Sequence, residues 1–389
     1  MNRERVRFIA GVVLGLVLVL ALVNYQDIYY YFLGKDKLPP SKQDKPTLTD
    51  IKFKETSVVF IAVGDIMMSR GVNSVIAHAN DPLRPFSSLA ELLNSTDFNF
   101  GNLESPISGS DKPGPPHSLV FNTPIRNVEG LKKYKFKVLN LANNHALDQR
   151  VAALHNTRKV LTDNNITYLG VGENLDEAWQ PKIVTFNGLK IGFLGASYAS
   201  VNDGGVSRNN FVARIEDIEY LKSSLTELKK MADFVLVTMH AGVEYVRTPH
   251  QGQIDFAHTA IDYGADIVIG AHPHWIQTIE KYKDKYIFYS LGNFIFDQSW
   301  SQDTKEGLVL KIFLEGYQVE GDTKTLAPNK PPTNLPTKLA KIELIPVVIE
   351  NYSTPRQANE TEKAKILAKI DFTNDVLTPE SILPVVAKK

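Results

Sequence analysis

Cysteine is absent from the 389 residues, which removes disulfides and thiolate metal sites from consideration. A surplus of either charge is absent too: 43 Lys and Arg balance 43 Asp and Glu. There is therefore no basic footprint for nucleic acid. No broad positive field is available to hold an acidic polymer, so any anion must be gripped locally. No internal repeat of fixed period occurs, which leaves solenoids and propellers without support. What remains is ordinary for a globular protein, with 43% hydrophobic and 22% charged residues. The length is enough for one large or two small domains with a sizeable core.

The one strong targeting signal is at the start. Arg3, Arg5 and Arg7 precede Phe8–Val23, sixteen residues without a charged side chain. A membrane-spanning helix takes about 20 apolar residues, with about 17 near the lower limit. Asn24 and Tyr25 extend the run into the interface. Ala21-Leu22-Val23 is a poor processing site, so an uncleaved anchor is preferred to a cleaved signal. The arginines hold the N-terminus in the cytoplasm and put the rest of the chain outside. Tyr25, Tyr29, Tyr30 and Tyr31 suit the outer interface. The expected organisation is a cytoplasmic N-terminus and single-pass anchor over 1–33, then a linker over 34–56 with Pro39, Pro40 and Pro46. A main domain over 57–320 follows, completed by strands, a short helix and a tail over 321–389.

A βα rhythm begins at residue 57. Strands are expected at Val58–Val63, Asp97–Phe100, Phe136–Leu141, Phe234–Met239, Asp266–Gly270 and Tyr286–Leu291. Helical spacing is read at 83–93, after Asp148 as a cap, at 215–230 and at 254–261. Asn187-Gly188 between Ile183–Phe186 and Leu189–Leu194 predicts a hairpin. The proline-rich loop at 105–124 is long enough to be functional, and the Pro/Lys/Thr segment at 321–338 reads as a loop. Strands alternating with helices predict an α/β fold around a mostly parallel sheet. In such folds the site lies outside the carboxyl ends of the strands.

Those ends carry ligand-type side chains: Asp65, Glu104, Asn144, His145, His240, His272 and His274. Carboxylate plus imidazole suits Zn, Mn or Fe as a divalent ion. Glu104 is placed to bridge two ions, and Asn144 adds a neutral oxygen. One or two ions there would acidify a water. His145, next to a ligand but free itself, could protonate a leaving oxygen. Singly, each residue has an ordinary explanation: Asp65 as a helix cap, Asn143 and Asn144 as turn residues, His240 as a core histidine. Their joint occurrence at one sheet edge favours a site. His78, His155 and His258 read as structural or solvated, His117 and His250 as undecided, and Trp179, Trp275 and Trp300 as packing residues.

Six segments in order carry a family resemblance: Gly64-Asp65-Ile66-Met67-Met68-Ser69-Arg70, Gly101-Asn102-Leu103-Glu104, Ala142-Asn143-Asn144-His145, His240-Ala241-Gly242-Val243-Glu244-Tyr245, Gly270-Ala271-His272-Pro273-His274 and Tyr289-Ser290-Leu291-Gly292-Asn293-Phe294. From about residue 57 to about 315 the chain resembles the CapA family of capsule synthesis, whose best-known members belong to bacterial poly-γ-glutamate synthase complexes. That resemblance implies a four-layer αββα sandwich of the metallophosphoesterase type. It also implies metal ligands Asp65, Glu104, Asn144, His240, His272 and His274, with His145 as the acid. One position departs from the wider fold: Met67 stands where a histidine ligand is usual, and a thioether is a poor ligand for a hard ion.

Three functions compete at this point. One is an anchored extracellular component working with membrane subunits that make or export poly-γ-glutamate. Another is a metal-dependent hydrolase of phosphoesters or of the γ-glutamyl polymer. The last is a metal site that holds polymer carboxylates without turnover. In the second, Arg70 would clamp the anion, and Glu244, Tyr245 and Asn293 would line the cleft.

Overall fold

The computed structural model describes residues 52–110, 118–198, 210–320, 337–371 and 376–381. The expected anchor, most of the linker, His117 and nearly all of the 321–338 segment lie outside them. Among the described residues no helix is long and apolar enough to cross a membrane.

The strands, in chain order, are β1 (Lys52–Ile66), β2 (Phe98–Leu103), β3 (Phe136–Asn140), β4 (Thr167–Leu169), β5 (Lys182–Phe186), β6 (Leu189–Ser197), β7 (Phe234–His240), β8 (Ile267–Ala271), β9 (Ile279–Tyr282), β10 (Lys285–Phe288), β11 (Asn293–Ile295), β12 (Glu306–Glu320), β13 (Lys338–Glu350), β14 (Thr354–Gln357) and β15 (Val376–Leu377). The main helices are α1 (Arg70–Ala79), α2 (Arg150–Asp163), α3 (Ile218–Met231), α4 (Gln251–Asp262) and α5 (Glu360–Ala368).

The strands make two sheets. The first runs β14-β13-β12-β1-β2-β3-β4, with β11 against β1 and β15 against β13. The second runs β5-β6-β7-β8-β10-β9. Pairing is parallel through β1, β2, β3 and β4, and through β6, β7, β8 and β10. The antiparallel pairs β5–β6, β9–β10 and β13–β14 close the margins.

Strand alternation sorts the core into three clusters. In β1, Phe60 and Ala62, with Phe98 of β2, face the other sheet, where Phe193, Leu236 and Ile269 join them. Ile61 and Val63 face the opposite way, toward Val72 and Ile76 of α1 and Leu154 and Leu161 of α2. In β7, Leu236 points between the sheets, while Val235 and Val237 meet Leu225 and Leu228 of α3 and Phe256 of α4. Both faces of these strands are covered, which is why they read as unbroken apolar runs. The result is a mixed α/β sandwich. Aromatic stacking fastens its middle: Phe98 lies 4.8 Å from Phe60 and 4.5 Å from Phe186. Such pairs contribute about 0.5–1.5 kcal/mol beyond area burial.

Local signals explain several elements. Asn187 and Gly188 take φ of 50° and 82°, the left-handed pair that a type I′ hairpin needs. His250 caps α4 in a capping box with Gln253, and Asn359 does the same for α5 with Glu362.

Some expectations need correction. β1 begins at Lys52, inside the stretch read as linker. The helix expected over 83–93 is a 3-10 segment, Arg84–Leu89, followed by the short helix Ala90–Asn94. Asp148 does not cap α2; Gln149 occupies that position. The strand expected over Tyr286–Leu291 ends at Phe288 and pairs with β9, which hydropathy alone did not mark. Trp300 is 61% exposed, so it does not pack inward. His155 pairs with Glu173 at 3.0 Å, and His258 with Glu280 at 3.0 Å.

Candidate metal centre

Parallel strands deliver their carboxyl ends to one edge, and two such edges face each other across the sandwich. Asp65 is near the end of β1, Glu104 follows β2, and Asn144 and His145 follow β3. His240 ends β7, and His272 and His274 follow β8. Close backbone approach makes this possible at two glycines. A Cβ on Gly64 would lie 1.9 Å from the Gly292 carbonyl oxygen, and one on Gly270 would lie 2.0 Å from that of Tyr289. His272 and His274 take φ of 103° and 59°, rare for non-glycine residues and common where a site dictates the backbone.

The side chains converge. His240 Nε2 lies 2.7 Å from Asn144 Oδ1, 3.1 Å from His272 Nδ1 and 3.8 Å from Glu104 Oε1. Asp65 Oδ2 lies 3.5 Å from His274 Nδ1 and accepts the His272 backbone N–H at 3.2 Å. Glu104, His240 and His272 form one group of donor atoms, all within 4.8 Å of one another; Asp65, Glu104 and His274 form a second. Glu104 belongs to both.

Glu104 is the anomaly that tests the fit to a cation. Its side chain is fully buried, and neither carboxylate oxygen has a hydrogen-bond partner among the described residues. An unpaired buried carboxylate is among the costliest groups a fold can hold. Burial, then the neighbouring Asp65 charge, pushes its pKa well above the usual range. The histidines are shifted the other way. Burial, reinforced by the other imidazoles, holds His240 well below its ordinary value. Burial and His274 bring His272 down to about 3. Both imidazoles are therefore neutral at pH 7, with lone pairs to give. Neutral nitrogen donors around an unsatisfied carboxylate fit a divalent ion of the Mn, Zn or Fe class.

Surrounding amides orient the donors, as outer partners do in metal sites. Asn293 Nδ2 donates to Gln298 Oε1 at 3.2 Å and to the Thr304 carbonyl at 2.9 Å. Its Oδ1 is thus left to accept from His274 Nδ1 at 2.9 Å, which keeps the His274 Nε2 lone pair free. Asn140 donates to Asn102 Oδ1 at 2.9 Å, and Asn102 donates to Asp65 Oδ1 at 2.8 Å.

His145 stands beside the cluster, its Nε2 3.8 Å from Glu104 Oε1. Its other nitrogen, Nδ1, is 2.7 Å from Asp148 Oδ2. Phe121 stacks on the imidazole at 3.9 Å and 24°.

A family model described as the bacterial capsule synthesis protein PGA_cap matches residues 59–298, a span that contains every residue of the cluster. The chain belongs to the bacterial capsule synthesis family. It is 31% identical over 280 residues to the capsule biosynthesis protein CapA of Bacillus anthracis, covering 69% of this chain and 67% of that one. It is 35% identical over 257 residues to the PGA biosynthesis protein CapA of Bacillus subtilis, covering 64% and 65%. Among solved structures it is similar to a putative 5'-nucleotidase from Staphylococcus aureus, at 18% identity and a TM-score of 0.48, covering 81% of this chain and 58% of that chain.

Other expected residues in this capsule synthesis family member are placed as follows. The Arg70 guanidinium is ion-paired with Asp297, donates to the Ser118 carbonyl at 3.0 Å and lies 4.6 Å from the Phe121 ring centre. Tyr245 stacks near His274 at 5.9 Å and meets Trp300 edge-on at 4.8 Å. Burial, then Glu244, pushes its hydroxyl up to about 12. Glu244 itself is exposed. Met67 is buried, and its sulfur accepts the Ser69 N–H at 3.1 Å.

Sequence reasoning missed Asn102, Asn140 and Asp148. The asparagines had a signal: each is an amide at or next to the carboxyl end of a strand rich in apolar residues, Phe98–Leu103 and Phe136–Asn140. Buried amides in such positions must have partners.

Proposed function

We propose that this chain serves poly-γ-glutamate capsule biosynthesis through a divalent-metal centre built on Glu104, in a domain anchored to the outer face of the membrane by Phe8–Val23. Membrane subunits of a polymer synthase or export complex are its partners in this reading. The observation that carries the metal centre is the buried Glu104 carboxylate, unsatisfied on both oxygens among neutral histidines. Glu104, Asn144, His240 and His272 would hold one ion, and Asp65, Glu104 and His274 a second. Placement between facing sheet edges supports assigning the sandwich to the metallophosphoesterase type.

A bound ion of this class supplies Lewis acidity and acidifies water. The chain's own groups handle position and protons. Asp148 fixes the His145 ring at Nδ1, so any proton His145 gives or takes moves at Nε2, the atom facing Glu104. Asn293 fixes His274, and the Asn140–Asn102 pair fixes Asp65. The His145–Asp148 dyad favours a second reading, hydrolysis of a phosphoester or of the γ-glutamyl polymer, because a site that only holds its ligand has no use for a buried proton relay.

The test is metal content after loading with Mn²⁺ or Zn²⁺ and desalting. Wild type should retain metal and His240→Ala should lose most of it. A wild type that retains none, with a thermal midpoint indifferent to chelator, ends the metal reading. Equal turnover of phosphodiesters and polyglutamate by wild type and His240→Ala ends the hydrolytic one. Unchanged polymer output after gene deletion in a capsule-forming host ends the biosynthetic one.

A further inference from the structure

Beside the metal centre is a second concavity, a cavity of about 480 Å³ between the segment after β11 and the β13–β14 turn. That size is within the roughly 300–1,000 Å³ of ligand pockets. It shares two wall residues with the centre. Phe296 meets the His274 ring edge-on at 4.8 Å. Gln298 accepts from Asn293 at 3.2 Å and donates to the Tyr245 hydroxyl at 3.3 Å. A ligand lying here is one side chain away from the cluster.

The lining is rich in unspent donors. The Lys305 ammonium, the Ser299 hydroxyl, the Asn351 amide and the Tyr352 hydroxyl line the cavity, and none has a side-chain partner among the described residues. Its two carboxylates, Glu350 and Glu362, share one guanidinium. Arg356 donates to Glu350 at 2.7 Å and to both oxygens of Glu362 at 2.7 and 2.8 Å. Arg356 is thus committed, and Lys305 is the lining cation without a side-chain partner among the described residues. Val348 and Ile349 give an apolar floor. By contrast, the guanidiniums nearer the metal centre are occupied: Arg70 by Asp297 and Arg247 by Asp303.

We propose that this cavity is a binding subsite for a carboxylate-bearing peptide segment. Lys305 pairs with a carboxylate, and Ser299, Asn351 and Tyr352 hydrogen-bond amide carbonyls. The floor takes the methylenes. The assignment of that segment to a γ-glutamyl chain rests on the proposed function; the carboxylate chemistry does not. A polymer seated here would run past Gln298 toward the metal centre, which gives the chain a local grip on an anion despite its balanced charge.

The test uses the full chain stripped of metal by chelator, with calorimetric titration of tri-γ-glutamate and of the same trimer with its α-carboxylates converted to amides. The carboxylate trimer should bind the stripped protein, and the amide trimer should bind at least tenfold more weakly. Lys305→Glu should weaken the carboxylate trimer at least tenfold, and Ser299→Asp should weaken it in the same direction, with thermal midpoints near wild type confirming that both variants fold. Equal affinity for the two trimers overturns the proposal. So does equal affinity of wild type and Lys305→Glu, the absence of binding, or binding that appears only after Mn²⁺ is added. Because the readout is taken without metal, loss of the metal reading leaves this result standing, and the reverse holds too.

Discussion

The Asp148 carboxylate lies 2.7 Å from His145 Nδ1, and the same oxygen accepts the backbone N–H of Phe121 at 2.7 Å, the residue whose ring stacks on that imidazole. One buried oxygen therefore sets both the rotation of His145 and the position of the ring that covers it. Asp148→Asn should leave metal content unchanged and lower any hydrolytic turnover by about 10²-fold, at the low end for losing an acid–base group. The low-field proton signal of His145 Nδ1 should move in the same variant. Full turnover with an unmoved signal would make Asp148 a structural residue only.

The buried titratable groups predict how the metal-free protein responds to pH. His272 has its folded pKa lowered from 6.5 to about 3. As pH falls below 6.5 the unfolded chain takes up a proton that the folded chain refuses, so stability is lost over 6.5 to 3. The slope is about 1.4 kcal/mol per pH unit per proton. Glu104 has the opposite sign. Its folded pKa is raised above 4.5, so its contribution is present below 4.5 and is lost as pH rises toward the folded value. From 4.5 upward the Glu104 loss opposes the gain from His272 and from His240, whose pKa is lowered as well. Urea midpoints of chelated protein should therefore rise less between pH 4.5 and 6.5 in wild type than in Glu104→Gln. An equal pH response in the two proteins would remove Glu104 from the account. Because a metal needs Glu104 deprotonated, affinity for Mn²⁺ should also rise with pH.

Much of this arrangement was legible before the fold was known, and the reasons differ by element. Strands buried on both faces read clearly, as Phe234–His240 shows. A ligand-type residue at each strand end then needed only the parallel α/β rule to be brought to one edge. β9 and β10 were harder. Their turn carries φ of 46° at Lys283 and 62° at Asp284, and neither residue advertises a left-handed turn as Asn-Gly does. Asp148 was misplaced because a carboxylate before a helical stretch resembles a cap. Only its distance to His145, across a turn of the chain, distinguishes the two. The second sheet was invisible to periodicity, since nothing local in β6–β8 says which partner strands they will meet.

Gly270 predicts a test of how tightly the β8 end is held. A Cβ there would lie 2.0 Å from the Tyr289 carbonyl oxygen, and the Gly270 carbonyl is itself tied to the Leu291 N–H at 3.1 Å. The backbone cannot yield without breaking the approach that places His272. Gly270→Ala should cost about 3 kcal/mol or more, at the severe end for single substitutions, and metal retention should fall with it. Gly252→Ala is the control, since the nearest atom to a Cβ there is 3.5 Å away on the His250 side chain; that helical position should be neutral or gain up to about 1 kcal/mol. Equal thermal midpoints for the two variants would discard the close-approach argument.

Arg70 separates a structural cation from an anion clamp. Its guanidinium and the Asp297 carboxylate are both largely buried and paired, and Asp297 also accepts the Gly71 N–H at 2.9 Å. Removing one partner of such a pair strands the other and costs about 3–5 kcal/mol. Arg70→Ala should thus lower the thermal midpoint sharply. It should also loosen Phe121, over which the guanidinium lies, and through it the packing of His145. Arg70→Met with Asp297→Leu should recover much of the midpoint, because no charge is then left unpaired. A clamp would behave differently: Arg70→Ala would keep its midpoint and raise KM for an anionic substrate without changing kcat. Differential scanning fluorimetry on the single and double variants decides between the two, and a single variant as stable as wild type would return Arg70 to the binding cleft.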